Sequence, residues 1–292
     1  MNTFTIKDLE NLSGVKAHTI RIWEQRYNFL KPDRTETNIR LYSNAELKLL
    51  LNIALLNKYG FKISHIDKMN FKELNEKILS LTQPEALQER IVNELIQHMI
   101  DMNIEGFEVV LDKYIMSKGI ERTITQIIFP FLERIGILWV TNHINPAQEH
   151  LVSNLVRQKL IVGIDGIVTS TKPDKTVLLF LPEGEHHELG LLFIHYLLKR
   201  RGVATIYLGA NIPMKDVEYV VNLKKPTHLY SHLTAISQSF NFDKFLLSLT
   251  NKFVHLPIII SGQLTNTYTK KIPSPIIFKK NFSSVMDFIS TV

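Results

Sequence analysis

The sequence predicts a multidomain protein of α and α/β parts: a small helical module, a helical bundle, and a parallel sheet covered by helices. Three observations predict it. Apolar residues recur at helical spacing through the first 168 of the 292 residues; short runs rich in β-branched residues alternate with helical patterns after that; and the charge changes sign between the parts. Residues 1–72 hold 12 basic and 7 acidic groups, residues 73–172 hold 9 and 13, and residues 173–292 hold 13 and 8. The expected domains are 1–75, 76–168 and 173–292.

Composition excludes several classes. At 45% apolar and 21% charged residues, disorder is not the main state. No uncharged apolar stretch approaches the ~18 residues of a membrane span. The start MNTFTIKDLE places Lys7, Asp8 and Glu10 where a signal peptide needs apolar residues, so a soluble cytoplasmic protein is expected. With no cysteine there is no disulfide framework, no thiolate nucleophile and no cysteine-ligated metal centre.

The elements follow in order. Thr5 precedes Ile6, Leu9 and Leu12 on one helical face, and Gly14 permits a tight turn. A second helix starts near Ala17, with Ile20 and Trp23 inward. The polar stretch KPDRTETNIRLY, between Asn28 and Tyr42, reads as an exposed hairpin or loop. Ser43 and Glu46 form a capping box for a longer helix, with Leu47, Leu50, Leu51 and Ala54 as its apolar stripe. Gly60 ends it, and Ile63–Met69 begins another short helix.

Further on, Pro84 opens a helix carrying Ile91, Leu95 and Met99, and the next carries Phe107, Val110, Leu111 and Tyr114. Ile120 to Leu138 is apolar on most faces, as a buried helix would be. Asn145-Pro146, with Gln148, starts a fourth helix, and a four-helix bundle is the expected form. Strands are expected at Val177–Leu181, Ala204–Leu208, His228–Ser231, Ile258–Ile260 and Ile276–Phe278. Helical patterns lie at Leu189–Arg200, Met214–Asn222 and Phe240–Lys252, with a last helix ending near Ser290. Such alternation predicts a Rossmann-like parallel sheet with its ligand at the strands' carboxyl ends.

The segment TIKDLENLSGVKAHTIRIWEQRY is a helix–turn–helix in outline. Its second helix presents Lys16, His18, Thr19, Arg21 and Arg26, a set suited to the major groove and phosphates; Arg34 and Arg40 follow in the loop. The pattern alone also fits an ordinary helical hairpin with solvated charges. Residues 3–69, with Arg21-x-Trp23-Glu24 and Arg40-Leu41-Tyr42-Ser43, closely resemble the winged helix–turn–helix of MerR-type transcription regulators. The resemblance implies double-stranded DNA as partner, with Trp23 as scaffold and with Arg40 and Tyr42 holding the wing on the DNA backbone. The loop TETNIR lacks the glycine common in that wing.

Residues 182–190, PEGEHHELG, follow a strand and open a helix. Imidazoles there suit a metal or a helix cap, and the His-Glu-x-x-His spacing of zinc hydrolases is absent. Glu185-x-His187-x-x-Gly190 resembles the Asp-x-His-x-x-Gly signature of cobalamin-binding domains. It is followed at the family's spacing by Ser231-His232-Leu233 and then by Ser261-Gly262. The resemblance implies cobalt bound by His187, with Glu185 on the imidazole's other nitrogen. It also implies that Gly190 allows close helix approach, and that Ser231, Leu233, Ser261 and Gly262 accompany the cofactor's detached nucleotide tail. Glu185 stands where the signature has Asp, and Ser261 where a Gly is usual. Trp139, followed after nine residues by Glu149-His150, resembles the Trp-x9-Glu-His motif of the CarH/LitR photoreceptors, in which the bundle covers the cofactor's upper face. Val140 stands where those proteins often carry a His.

Together these features imply a non-catalytic transcription regulator controlled by adenosylcobalamin and light through cofactor-dependent oligomerisation. It would act as a homo-oligomer, dimer to tetramer, on repeated or palindromic half-sites. A second reading keeps the architecture but replaces cobalamin control with a regulatory protein partner on the C-terminal domain. A third is a corrinoid protein for methyl transfer, which the DNA-binding head argues against.

Overall fold

The computed structural model describes residues 3–140, 144–168, 174–234 and 240–292, with the helix backbone alone for 137–140. It divides into two compact units, Met1–Leu155 and Val156–Val292. No helix among the described residues is long and apolar enough to cross a membrane.

In the first unit, α1 (Ile6–Ser13) starts at Thr5, whose backbone N–H donates to Asp8 at 2.7 Å in a complete capping box, and ends at Gly14 with φ 72°. After α2 (Ala17–Arg26) comes an antiparallel pair, β1 (Asp33–Arg34) and β2 (Arg40–Leu41). The turn between these strands has Asn38 at φ 64° where a glycine would be ordinary, and Arg34 Nη1 donates to its side chain at 2.7 Å. Asn is one of the few residues that adopts this conformation readily, so the wing closes without glycine. A reciprocal backbone pair, Phe4 to Tyr42 at 2.9 and 2.8 Å, ties β2 to the start of the chain.

The helix α3 (Asn44–Lys58) carries the Ser43–Glu46 capping box, and α4 (Ile63–Ile66) follows. The next, α5 (Phe71–Leu79), was not singled out by the apolar pattern, although Asn70 and Glu73 cap it as a box. Four long helical segments make up the middle of the chain: α6 (Pro84–Ile100), α7 (Ile104–Lys118), the continuous run α8 (Ile120–Thr123) to α9 (Phe129–Val140), and α10 (Pro146–Asp165).

The run from 120 to 140 is not one regular helix: residues Ile124–Ile128 form a π-helical turn. Pro130 supplies the reason. It has no N–H for the carbonyl of Gln126 and its ring crowds that turn, so the backbone widens just ahead of it, and Phe129 N–H reaches back to Ile124. Helix α6 packs against α7 and α9, while α1 packs against α3 and α9. Gln148, buried at the start of α10, donates to the carbonyl of Ile100 at 2.9 Å and so caps the end of α6.

The second unit is built on a five-stranded, wholly parallel sheet in the order β4-β3-β5-β6-β7. Its strands are β3 (Thr176–Pro182), β4 (Ala204–Ile212), β5 (His228–His232), β6 (Ile258–Ser261) and β7 (Ile276–Lys279). The helices are α11 (Leu189–Arg200), α12 (Met214–Lys224), α13 (Phe242–Lys252), the short α14 (Gln263–Thr267) and α15 (Phe282–Thr291). Near-continuous apolar strands such as Val177–Leu181 are buried on both faces, which is what parallel pairing requires. One core packs Leu178, Phe180, Leu229 and Ile258 against Val217, Leu246 and Leu249. The order reverses between β3 and β5, so the loops leaving those two strands flank the crevice where such sheets bind ligands.

Candidate functional site

Two sites emerge, one in each unit. In the first, Ile20 and Trp23 seat α2 in the core, leaving Lys16, His18, Arg21 and Arg26 exposed and Thr19 half-buried. Arg34 on the wing is exposed and Arg40 half-buried.

The residue that organises this surface is Glu24. Its carboxylate accepts from Arg40 Nε at 2.8 and 3.1 Å and from the Tyr42 hydroxyl at 3.1 Å, with Arg34 Nη2 at 3.6 Å. The hydrogen bond to Glu24 raises the Arg40 pKa further, and burial raises that of Tyr42. Tyr42 is fully buried, so it supports Arg40 and the wing from inside. Glu24 thus fixes the wing to the second helix and aims Arg40. Glu24→Gln, which keeps the shape but removes the charge, is expected to weaken duplex binding roughly tenfold, the order set by losing one charge-assisted hydrogen bond. A salt titration of DNA binding by the full chain, with circular dichroism as the folding control, checks this; unchanged affinity would deny Glu24 the role.

In the second unit, the loop after β3 carries Glu185, which is fully buried. Its Oε1 accepts from the backbone N–H of His187 at 2.8 Å and lies 2.7 Å from His187 Nδ1; Oε2 accepts from Thr234 N–H at 3.0 Å. One carboxylate therefore joins the loops leaving β3 and β5. Because a carboxylate only accepts, it places the proton on Nδ1 and the lone pair on Nε2 of an exposed imidazole. That is the donor arrangement a metal-bound histidine needs. His186, its neighbour, is exposed.

Around this pair, Ser231 is buried and its hydroxyl has no hydrogen-bond partner among the described residues. Ser261 Oγ lies 2.7 Å from the Tyr230 hydroxyl and 2.8 Å from His232 Nδ1. Burial pushes the half-buried His232 down to about 4, against the pull of Glu185, so the ring is neutral. A Cβ at Gly190 would fall 2.3 Å from His232 Cδ2, and one at Gly262 2.3 Å from the carbonyl oxygen of the buried Leu233. Both glycines are places where another part of the chain comes close.

A second cluster in this unit was not anticipated from the sequence. Glu188 accepts from the Tyr207 hydroxyl at 2.6 Å and lies 3.7 Å from Arg157 Nη2, while His195 stacks on Tyr207 at 4.8 Å. It ties α10 and β4 to the loop that carries His187. Burial lowers the His195 pKa to about 4 and raises that of Tyr207, as does Glu188.

Of the remaining candidates, Glu149 and His150 stand in the first turn of α10 and pair with each other at 2.9 Å. Glu149 is half-buried and also accepts from Ser153 Oγ. The side chains of Trp139 and Val140 lie outside the described residues.

Comparison with known proteins finds two family patterns in the chain. The MerR HTH family regulatory protein pattern matches residues 4–70, and the B12 binding domain pattern matches residues 91–162, the span from α6 into α10. The HTH-type transcriptional repressor CarA of Myxococcus xanthus is 28% identical over 277 residues, covering 92% of this chain and 90% of that protein. The repressor CarH of the same organism is 26% identical over 273 residues, covering 91% of each. In fold, the chain is similar to the monomethylamine corrinoid protein of Methanosarcina barkeri, with a TM-score of 0.57 at 13% identity over 70% of this chain and all of that one.

Proposed function

We propose that this chain, which joins a MerR-type helix–turn–helix to a B12-binding domain, is a DNA-binding transcription regulator controlled by adenosylcobalamin and by light acting on it. Its relatives are transcriptional repressors, and a non-catalytic role agrees with theirs. The observation that carries the cofactor part is Glu185: a fully buried carboxylate that orients one exposed imidazole, His187, at the switch point of a parallel sheet. The buried hydroxyl of Ser231, without a partner among the described residues, fits a ligand that brings its own polar atoms.

In this reading His187 binds cobalt and Glu185 fixes its tautomer. Gly190, Ser231, Leu233, Ser261 and Gly262 form the side of the site that receives the nucleotide tail. Trp139, Glu149 and His150 would meet the cofactor's upper face, a role that rests on the Trp-x9-Glu-His resemblance. The cofactor supplies a cobalt–carbon bond that light can break. The protein's part is to hold the bundle differently when the adenosyl group is present and when it is gone. The exposed faces of α2 and the wing bind a repeated or palindromic operator, and the oligomer, dimer to tetramer, sets the avidity.

The test is light scattering paired with DNA-shift assays on the adenosylcobalamin-loaded protein, dark against illuminated. The expected result is a larger assembly and tighter operator binding in the dark, with both falling on illumination. Unchanged mass and affinity after complete photolysis would defeat light control. A chain that binds DNA and shows no cobalamin spectrum would instead favour control by a protein partner.

A further inference from the structure

We propose that His232 is a gate for the corrinoid's nucleotide tail, an inference that rests on the cobalamin reading above and concerns how the site admits that tail. His232 ends β5, and its ring lies so close to Gly190 that a side-chain carbon there would sit 2.3 Å from Cδ2 and 2.5 Å from Nε2. The imidazole therefore occupies the space that the absent side chain of Gly190 leaves at the sheet edge. It is next in sequence to Ser231, whose buried hydroxyl has no partner among the described residues.

The ring is also anchored. Ser261 Oγ holds Nδ1 at 2.8 Å and is itself fixed by the fully buried Tyr230 hydroxyl at 2.7 Å. A glycine at position 261 would leave the imidazole without that anchor; this chain supplies a hydroxyl. Glu185 binds Thr234, two residues beyond His232, so the ring's backbone is tied to the same carboxylate that orients His187.

A corrinoid with a detached nucleotide needs room at this edge, whereas one without a nucleotide needs only the face that His187 presents. The closed ring favours the second. Admitting the complete cofactor requires the ring to leave Gly190 and give up its bond to Ser261. The gate therefore lowers affinity for adenosylcobalamin relative to adenosylcobinamide, the same corrin lacking the nucleotide.

Absorption titrations of the full-length protein in the dark, with these two compounds, decide the matter. The wild type is expected to bind both within about threefold. His232→Ala and Ser261→Gly are each expected to tighten adenosylcobalamin about tenfold, the order that one net hydrogen bond supplies, while changing adenosylcobinamide less than about twofold. Should His232→Ala fail to fold, Ser261→Gly carries the test, since it removes the anchor and leaves the ring. A wild type that prefers adenosylcobalamin by more than about tenfold, or variants that keep the wild-type ratio, would overturn the gate alone. Absence of any corrinoid spectrum with either compound would overturn the cobalamin reading, and the gate with it.

Discussion

His187→Ala is expected to reduce cobalamin affinity by roughly 10²-fold or more, beyond the ~10–100-fold typical when only the orienting partner of a metal-bound imidazole is lost. Glu185 holds Nδ1 at 2.7 Å, which leaves the Nε2 lone pair as the donor to a metal. His186→Ala is the matched control. It removes an exposed imidazole one position away and should leave the titration unchanged. Glu185→Ala should fall between the two, because the ring remains but loses its fixed tautomer, and Thr234 N–H loses its acceptor. Absorption titration of the three variants in the dark ranks them. Equal behaviour of the His186 and His187 variants would show that the register of the loop has been misassigned.

Elements with local signals were legible from the sequence, and those whose causes lie far apart in the chain were not. Thr5 before Ile6, Leu9 and Leu12, Ser43 with Glu46, and Asn145 with Gln148 each announce a helix, and each helix starts there. The central strands were legible because a parallel strand buried on both faces has no polar side to disguise it, and the half-buried edge strands, Ala204–Ile212 and Ile276–Lys279, still begin on short apolar runs. The π-helical turn had a signal too: Pro130, inside a run that otherwise reads as uninterrupted helix.

Contacts between distant residues left no local trace. Glu24 meets Arg40 and Tyr42, 16 and 18 residues on, only because the wing folds back on the second helix. His232 meets Gly190 only across β3 and β5, and Glu188 meets Tyr207 only across α11. Spacing of motifs located Glu185, His187 and Gly190. It gave no hint that the neighbour of Ser231 would fill the space beside Gly190, because that depends on the direction of one ring and on the hydroxyl at 261.

Gly262→Ala is expected to be the most disruptive single-methyl change at the site. Gly262 has φ 97° and ψ 176°, a region that side-chain-bearing residues scarcely enter, at a strain of about 1–3 kcal/mol. The added carbon would also lie 2.3 Å from the Leu233 carbonyl oxygen and 2.7 Å from its carbonyl carbon and amide nitrogen. Those are backbone atoms held in place: Leu233 N–H donates to Ser261 O at 2.8 Å, and Leu264 N–H to Leu233 O at 3.3 Å. Relief therefore means parting the ends of β5 and β6, and overpacking of this kind costs about 1–3 kcal/mol more. The total is a sizeable share of the ~5–15 kcal/mol that holds a typical fold together, so unfolding should come lower by on the order of 10 °C.

Gly190→Ala provides the contrast. The nearest atoms an added carbon would meet there belong to the His232 ring, a side chain that can swing once its bond to Ser261 is given up, so its thermal loss should be much smaller. The backbone shift at Leu233 should reach further, since Thr234 follows it and donates to Glu185. Corrinoid affinity should accordingly fall in Gly262→Ala even below its melting temperature. Calorimetry of the full-length variants, followed by titration of the folded protein, measures both effects. A loss of less than ~2 °C for Gly262→Ala would mean that the two strand ends part easily, and that their close approach does not hold the site together.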